Sequence, residues 1–328
     1  MKFFVYILLC HTLLNFIILY FFDYLKNKIN VYDYPDNDKK LHKSPIPLMG
    51  GWIFLFNLLL FLILKNWSLS SLETNIIFCS SSFLLIGILD DKYDLSPYSK
   101  FLSLTISLIL FFNFNESMII NKLEIYDYNI YLNKNIGLFF SVLCVLLFVN
   151  AFNLFDGINL QSSLYGIYFL LFLVFKGLFI ETILVMIIPL LFIIYLNNRN
   201  RIFMGDSGTL FLGSIISLFV IANYTKANSI KADEIFLLMF LPGVDMLRLF
   251  IQRIIKRKNP FLGDREHLHH YFLELFGYKL SIISILLISI LPQLLNFFID
   301  SKYVIAFFIL FYLFIFSYLK KKLTNKII

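Results

Sequence analysis

Apolar runs of about 17 to 20 residues recur along the whole chain, the length a helix needs to cross the hydrocarbon of a bilayer. Backbone N–H and C=O groups find no water there, so only helices or closed barrels can span it. A barrel would show alternating segments of about ten residues, and none occurs. Composition agrees: of 328 residues, 59% are hydrophobic, 40 are phenylalanine and only 15% are charged. A soluble domain of that make-up could not cover its own surface. The chain reads as an all-α polytopic membrane protein, a single integral domain over residues 1–328. About eleven spans are expected, at 3–22, 48–65, 72–89, 99–113, 135–150, 160–178, 181–197, 208–225, 234–251, 279–298 and 303–319. No small-residue cleavage site follows Met1–Phe22, so that run reads as a retained anchor.

Basic residues set the orientation. The segments on one side of this layout hold 20 of the 28 Lys and Arg, which marks that side as cytoplasmic, with the N-terminus outside and the C-terminus inside. The net charge of +7 therefore reads as topology and contact with anionic lipid, not nucleic-acid binding. Cys10, Cys79 and Cys144 fall within spans without ligand spacing and read as small apolar fillers. In the outer loop 113–134, the alternation of KLEIYDYNIYL predicts a small hairpin.

The same layout places Asp90, Asp91, Asp94, Asp156, Asp206, Asp245 and Asp264 at one membrane face, on at least four loops. Ionisable groups at helix mouths are costly unless they serve a cavity or partner. In ILDDKYDLSPYSK (Ile88–Lys100), Ser96 and Pro97 read as N-cap and first-turn residue of a new helix. Asp90 and Asp91 thus end one helix and Lys100 begins the next. Two adjacent carboxylates can bind a divalent cation, or shift one another's pKa so that one acts as a base. A hydrated turn salt-bridged to Lys92 or Lys100 is the plain alternative.

In VNAFNLFDGINLQSS (Val149–Ser163), Asn150, Asn153, Asp156 and Asn159 recur every third residue and would share a face if the segment is helical. Helix capping uses one such residue, not four, and buried polar groups need partners. In RNRIFMGDSGTLFLG (Arg199–Gly213), a glycine-rich turn opens a helix, and Asp206 reads either as its N-cap or as a metal ligand. The turn lacks the Lys-Ser/Thr ending of a nucleotide P-loop. In RLFIQRIIKRKNPFLGDREHLHHYF (Arg248–Phe272), a basic stretch leads into His267, His269 and His270. Zinc prefers more widely spread ligands, so anionic phosphate is the better match.

Six motifs in this order resemble one family: DYPDNDKKLHKSPIPLMGG (Asp33–Gly51), DDKYDLSPYSK, NAFNLFDGIN, FMGDSG, LPGVDMLR and PFLGDREHLHH. The chain is similar to the polyprenyl-phosphate N-acetylhexosamine-1-phosphate transferases, the superfamily that includes the MraY translocase and the WecA and TagO enzymes. The resemblance covers residues 3–275, leaving the helices at 279–319 outside it, and the His-x-His-His form favours the WecA/TagO branch. It implies a reaction in which a polyprenyl phosphate attacks the β-phosphorus of a UDP-N-acetylhexosamine and releases UMP. Repulsion between two phosphate groups calls for a cation, Mg2+ or its substitute Mn2+, and for basic side chains.

By motif match, Asp206 would be a metal ligand with Asn153 or Asp156 near it, and Asp90 would activate the lipid phosphate with Asp91 as partner. Lys100 would contact the lipid phosphate, and Arg265, His267, His269 and His270 the sugar-nucleotide phosphates. Asn159 and Leu160 stand where the bacterial branch has Asp and Gly. The resemblance puts that position beside uracil, which an Asn can still pair with. It further implies a plasma-membrane protein with its active site facing the cytoplasm, the two substrates and membrane lipids as partners, no nucleic acid, and a homodimer as a candidate assembly. A transporter or flippase would instead show inverted repeats and broken helices at the midplane.

The topology is directly testable. A cysteine placed at Asn259 in a cysteine-free version of the chain is expected to react with a membrane-impermeant maleimide only from the cytoplasmic side. Labelling from outside would reverse the orientation.

Overall fold

The computed structural model describes residues 2–35, 44–65, 69–126, 128–258 and 266–327. Helices lie at ten of the eleven expected positions among the described residues, and the chain is an integral membrane protein. Among the described residues, eight helices are long and apolar enough to cross a membrane: α1 (Lys2–Tyr20), α4 (Ser71–Tyr93), α5 (Pro97–Phe114), α6 (Lys134–Leu154), α8 (Ile180–Asn197), α9 (Gly205–Thr225), α12 (Leu268–Leu295) and α13 (Ser301–Ile327). Two shorter apolar helices, α3 (Gly50–Lys65) and α7 (Gln161–Lys176), also match expected spans. Between α1 and α3 lies the short α2 (Phe22–Ile29), with basic residues in its last turn.

One expected span is corrected. Residues 234–251 do not form a continuous helix; they break at Met239 into α10 (Ala232–Leu238) and α11 (Phe240–Ile255). Asp245, Arg248, Gln252 and Arg253 give α11 a polar side, with Asp245 and Arg253 buried. In α12, Gly277 adopts φ 73° and ψ 175°, interrupting the helix two residues before the position where the sequence predicts a span to begin. The hairpin expected in the loop 113–134 is present as β3 (Lys122–Ile125) and β4 (Tyr128–Tyr131), paired antiparallel with Lys122 opposite Tyr131.

The chain divides into two compact units. The first comprises residues 1–121 and 132–229, the second residues 122–131 and 230–328.

In the first unit the core is α9. Every residue from Ser207 to Tyr224 is buried, as expected for a helix apolar on all sides. It packs most extensively against α4, and also against α6, α3 and α7. Small residues permit that closeness, since lipid supplies no hydrophobic drive between helices and tight van der Waals contact must replace it. A Cβ on Gly87 of α4 would meet the Ser207 backbone, with its nitrogen at 2.6 Å, and one on Gly51 of α3 would strike the Ser207 side chain. Away from this centre, buried His11 and Asn15 of α1 both bond Asn57 of α3, at 3.0 and 2.8 Å.

Short extended segments add a second tie at the start of α9. Tyr32–Asp33 (β1) pairs with Ile46–Pro47 (β2), and Phe203 N donates to Pro47 O at 3.0 Å while Met49 N donates to Phe203 O at 3.3 Å. Two motifs about 150 residues apart in sequence, IPLMGG and FMGDSG, are thereby joined through their backbones.

Gly87→Ala is expected to lower the thermal midpoint of the detergent-solubilised protein, at an overpacking cost of about 1–3 kcal/mol. Gly243→Ala, where an added Cβ meets open space, is expected to leave it unchanged.

Candidate active site

The end of α4 and the start of α9 meet through a carboxylate. Asp91 accepts hydrogen bonds from the backbone N–H of Asp206 at 2.7 Å and of Ser207 at 3.1 Å, and from the Ser207 hydroxyl at 2.5 Å. The first N–H groups of a helix have no partner within it. Here a side chain from another helix satisfies two of them and sets a negative charge at the positive end of the helix dipole. Asp206 is therefore not the cap of α9; it stands in the first turn, and Asp91 caps it. Gly205, at φ 71°, makes the turn, and any Cβ there would run into the Asp91 carboxylate.

That cap leaves the Asp206 side chain free to point elsewhere. Its carboxylate bonds the Lys100 ammonium, which also bonds Asp90 Oδ2 at 2.7 Å. One cation is thus shared by two carboxylates from α4 and α9, with Asp90 and Lys100 largely buried and Asp206 about one third exposed at its side chain. Asp90 is itself held by Leu95 N, which donates to Oδ1 at 2.9 Å. The tight return from α4 into α5 depends on Asp94 in the left-handed region, φ 51°, and on Ser96, which accepts from Ser99 N at 3.1 Å ahead of Pro97.

The third loop contributes from α6. Asn153 accepts from Thr209 Oγ1, in the first turns of α9, at 2.9 Å. Helix α6 ends at Leu154, so the three-residue recurrence of Asn150, Asn153, Asp156 and Asn159 does not make one face; the last two lie in the loop beyond. Asp156 accepts from the Ser162 hydroxyl. Burial, opposed by that hydrogen bond and reinforced by the charges of Asp206 and Asp91, pushes its pKa up to about 6. Asn159 turns away from this group. Its amide donates to Asn200 Oδ1 at 2.5 Å, while Asn197 Oδ1 accepts from Leu160 N at 2.6 Å.

The histidines belong to the second unit, in a network of their own. Asp245 Oδ2 lies 2.9 Å from His267 Nδ1 and accepts from Leu268 N at 3.3 Å, so α12 too is capped by a carboxylate from another helix. Asp245 Oδ1 accepts from Arg248 Nη2 at 2.8 Å and from the Tyr312 hydroxyl at 2.6 Å. Burial opposes ionisation of Asp245, but the bond from His267 and the charge of Arg248 outweigh it and hold the carboxyl well below the usual range. Arg248 also donates to Glu266 O at 2.6 Å, and Gln252, one turn further along α11, and Lys256, just past its end, both bond the Glu266 carboxylate. His267 and His269 are buried with their rings parallel at 5.1 Å, and the His269 and His270 rings lie 4.3 Å apart. Arg265 and Asp264 lie outside the described residues.

Of the residues singled out from sequence, the first unit brings together Asp90, Asp91, Lys100, Asn153, Asp156 and Asp206; Asn159 stands apart within it. His267, His269 and His270 gather separately in the second unit. Among the described residues, no three or more His, Cys, Asp or Glu side chains stand close enough to hold a metal ion by themselves. The sequence reading missed Ser207, Thr209, Ser162, Asn197 and Asn200, and gave no role to Asp245, Arg248 or Tyr312. The i,i+3 spacing of Asp245 and Arg248 was a visible signal; nothing around Tyr312 distinguished it from the other aromatics of its helix.

Residues 74–224 match the family model described as Glycosyl transferase family 4. The undecaprenyl-phosphate alpha-N-acetylglucosaminyl 1-phosphate transferase of Salmonella typhi is 27% identical, over 74% of this chain and 69% of its own length. A probable undecaprenyl-phosphate N-acetylglucosaminyl 1-phosphate transferase of Bacillus subtilis is 27% identical over 91% and 86%. The phospho-N-acetylmuramoyl-pentapeptide-transferase of Dictyoglomus turgidum is 32% identical over 72% and 77%.

Asp91→Ala removes the cap from α9 and is expected to destabilise the protein by about 0.5–2 kcal/mol, the range for losing an N-cap. Asp91→Asn, which keeps one accepting oxygen for the α9 N–H groups, is expected to cost less when both are followed by thermal unfolding in the same detergent.

Proposed function

The chain belongs to glycosyl transferase family 4, and from that premise we propose that it transfers N-acetylhexosamine 1-phosphate from a UDP-sugar to a polyprenyl phosphate such as undecaprenyl phosphate, as the first step of a cell-surface glycan. The observation that carries this reading is the meeting of Asp90, Lys100 and Asp206 on one shared cation, since the transfer must neutralise two phosphate groups at one point. In the balanced reaction, an oxygen of the lipid phosphate bonds to the β-phosphorus, the bond from the β-phosphorus to the bridging anhydride oxygen breaks, and UMP leaves with that oxygen and the electron pair.

The donor set fits a divalent cation. Asp90 and Asp206 already share one cationic group, the Lys100 ammonium. Magnesium characteristically takes only one or two protein carboxylates and fills its other positions with water and substrate phosphates. Asp206 would hold it, with Asp156 and Asn153 beside it, and when bound it supplies charge neutralisation at the phosphates. The chain's own groups supply the rest. Asp90 accepts the lipid-phosphate proton or orients that phosphate, and Lys100, released from the carboxylates, turns to its charge. Asp91 acts by holding the first turn of α9 and hence the direction of Asp206, not as a second metal ligand. His267, His269 and His270, with Arg265, serve the sugar-nucleotide phosphates, and Asn159 the uridine side.

This reading places the protein in the plasma membrane with the motif loops on the cytoplasmic face. Nothing in the family or the named relatives supports a transporter or flippase.

Purified protein given undecaprenyl phosphate, UDP-N-acetylglucosamine and Mg2+ is expected to release UMP, to stop with chelator and to resume with added Mg2+. Asp206→Asn is expected to lose on the order of a hundredfold in kcat. Asp90→Asn is expected to lose ~10²–10⁴-fold while equilibrium binding of the UDP-sugar stays nearly intact. Full activity in both variants would end this reading.

A further inference from the structure

Thr209 is fully buried in the second turn of α9, and its hydroxyl meets the last turn of α6. The two helices touch there. The place a Cβ would take on Gly213, one turn beyond Thr209, lies 3.4 Å from Val149 Cα, one turn before Asn153. The Thr209 hydroxyl has one hydrogen to give and three acceptors within reach: Asn153 Oδ1 at 2.9 Å, Gly205 O at 3.1 Å and Asp206 O at 3.3 Å. Residues three apart on a helix share a face, so the Asn153 amide is pinned against the turn that carries the Asp206 carboxylate.

We propose that Thr209 is a positioning residue for the transfer reaction: its hydroxyl holds the Asn153 carboxamide in either of its orientations, so that Asn153 can turn its oxygen to a divalent cation and keep its anchor on α9. This rests on the transferase reading above. A carboxamide offers an acceptor at one end and a donor at the other. With Oδ1 on the Thr209 hydroxyl, Nδ2 is the end left for other neighbours. Magnesium and manganese take oxygen ligands, so Asn153 must turn over to serve one. Nδ2 then donates to Thr209 Oγ1, and the hydroxyl hydrogen passes to Gly205 O, the bond to the carbonyl four residues back that a helical threonine makes. A hydroxyl serves both arrangements because it donates and accepts. A methyl group in its place serves neither and leaves one end of the amide unpaired.

The test titrates the full-length protein, in nanodiscs of uncharged lipid, with Mn2+ alone and follows the free ion by electron paramagnetic resonance. Thr209→Val, which keeps the shape and loses the hydroxyl, is expected to weaken Mn2+ binding about tenfold, in line with the loss of a partner behind a metal ligand. Thr209→Ser, which keeps the hydroxyl, is expected to bind as the wild type does. In an Asn153→Ala background, Thr209→Val is expected to add nothing, because the threonine acts through the asparagine. In UMP release, the loss in Thr209→Val is expected to shrink as Mg2+ is raised. Ser217→Ala removes a buried hydroxyl deeper on the same helix, one that bonds Ser214 O; it is the control and is expected to change neither readout.

The proposal is overturned by a folded Thr209→Val that holds Mn2+ like the wild type. It is overturned equally by a full loss from Thr209→Val in the Asn153→Ala background, or by a Thr209→Ser as weak as the valine. Should Thr209→Val not fold, the wild type with 15N-labelled asparagine decides: an Asn153 side-chain signal, assigned by its loss in Asn153→Ala, that Mg2+ leaves unmoved refutes the proposal. Ion binding needs no turnover, so a wild type that shows these couplings and releases no UMP would refute the transferase reading alone.

Discussion

The first turn of α9 is where this protein is most constrained. A helix buried over eighteen consecutive residues cannot leave its leading N–H groups to water, and no side chain of its own provides the cap. Asp91 supplies it from α4, and the consequences spread outward. Gly205 must adopt a positive φ to bring the turn against the carboxylate, and Gly87 and Gly51 must lack a Cβ for α4 and α3 to come close enough. Once that turn is held, Asp206 projects from a fixed backbone toward Lys100 and Asp90. The two halves of the Asp-Asp pair therefore do different work: adjacent side chains on a helix diverge, so one addresses the α9 backbone and the other the cation.

The second unit solves the same problem in the same way. Helix α12 begins at the histidine motif, and Asp245 of α11 takes its leading N–H while bonding His267. In both units a buried carboxylate is stabilised by several donors at once, the condition under which a buried charge is tolerated. In both, the capped N–H groups lie at or beside a residue of the candidate site, Asp206 in one and His267 in the other, so the device that ends a solvation problem also fixes that side chain. Arg248 and Gln252 of α11 and Lys256 at its C-terminal cap, each four residues apart, then hold Glu266, the first described residue after the basic stretch.

Much of the fold was legible because the membrane simplifies it. Hydrophobic length alone located ten of the eleven expected helices, and the alternation of KLEIYDYNIYL located the hairpin. The exception, 234–251, broke into two helices because length and mean hydropathy overlook charged residues arranged along one side; on α11, Asp245 and Arg248 meet Tyr312 of α13 and Gln252 meets Glu266. The membership of the candidate site was also legible for Asp90, Asp91, Lys100, Asp206, Asn153 and Asp156, since each sits where an apolar run meets a loop. Their division of labour was not. Nothing in GDSG distinguishes an aspartate that caps its own helix from one whose helix is capped by a partner more than a hundred residues away.

By itself the sequence determined the solvent, the helices and the residues with chemical capacity, because those follow from local hydrophobicity and from which side chains ionise. Tertiary structure alone decided which carboxylate is spent on a helix terminus and which is left to meet a cation. It alone turned Asn159 toward Asn200 and placed Tyr312, from the last helix, against Asp245. Those outcomes depend on hydrogen-bond directions between segments far apart in the chain, and a direction in space is not encoded by any local pattern of residues.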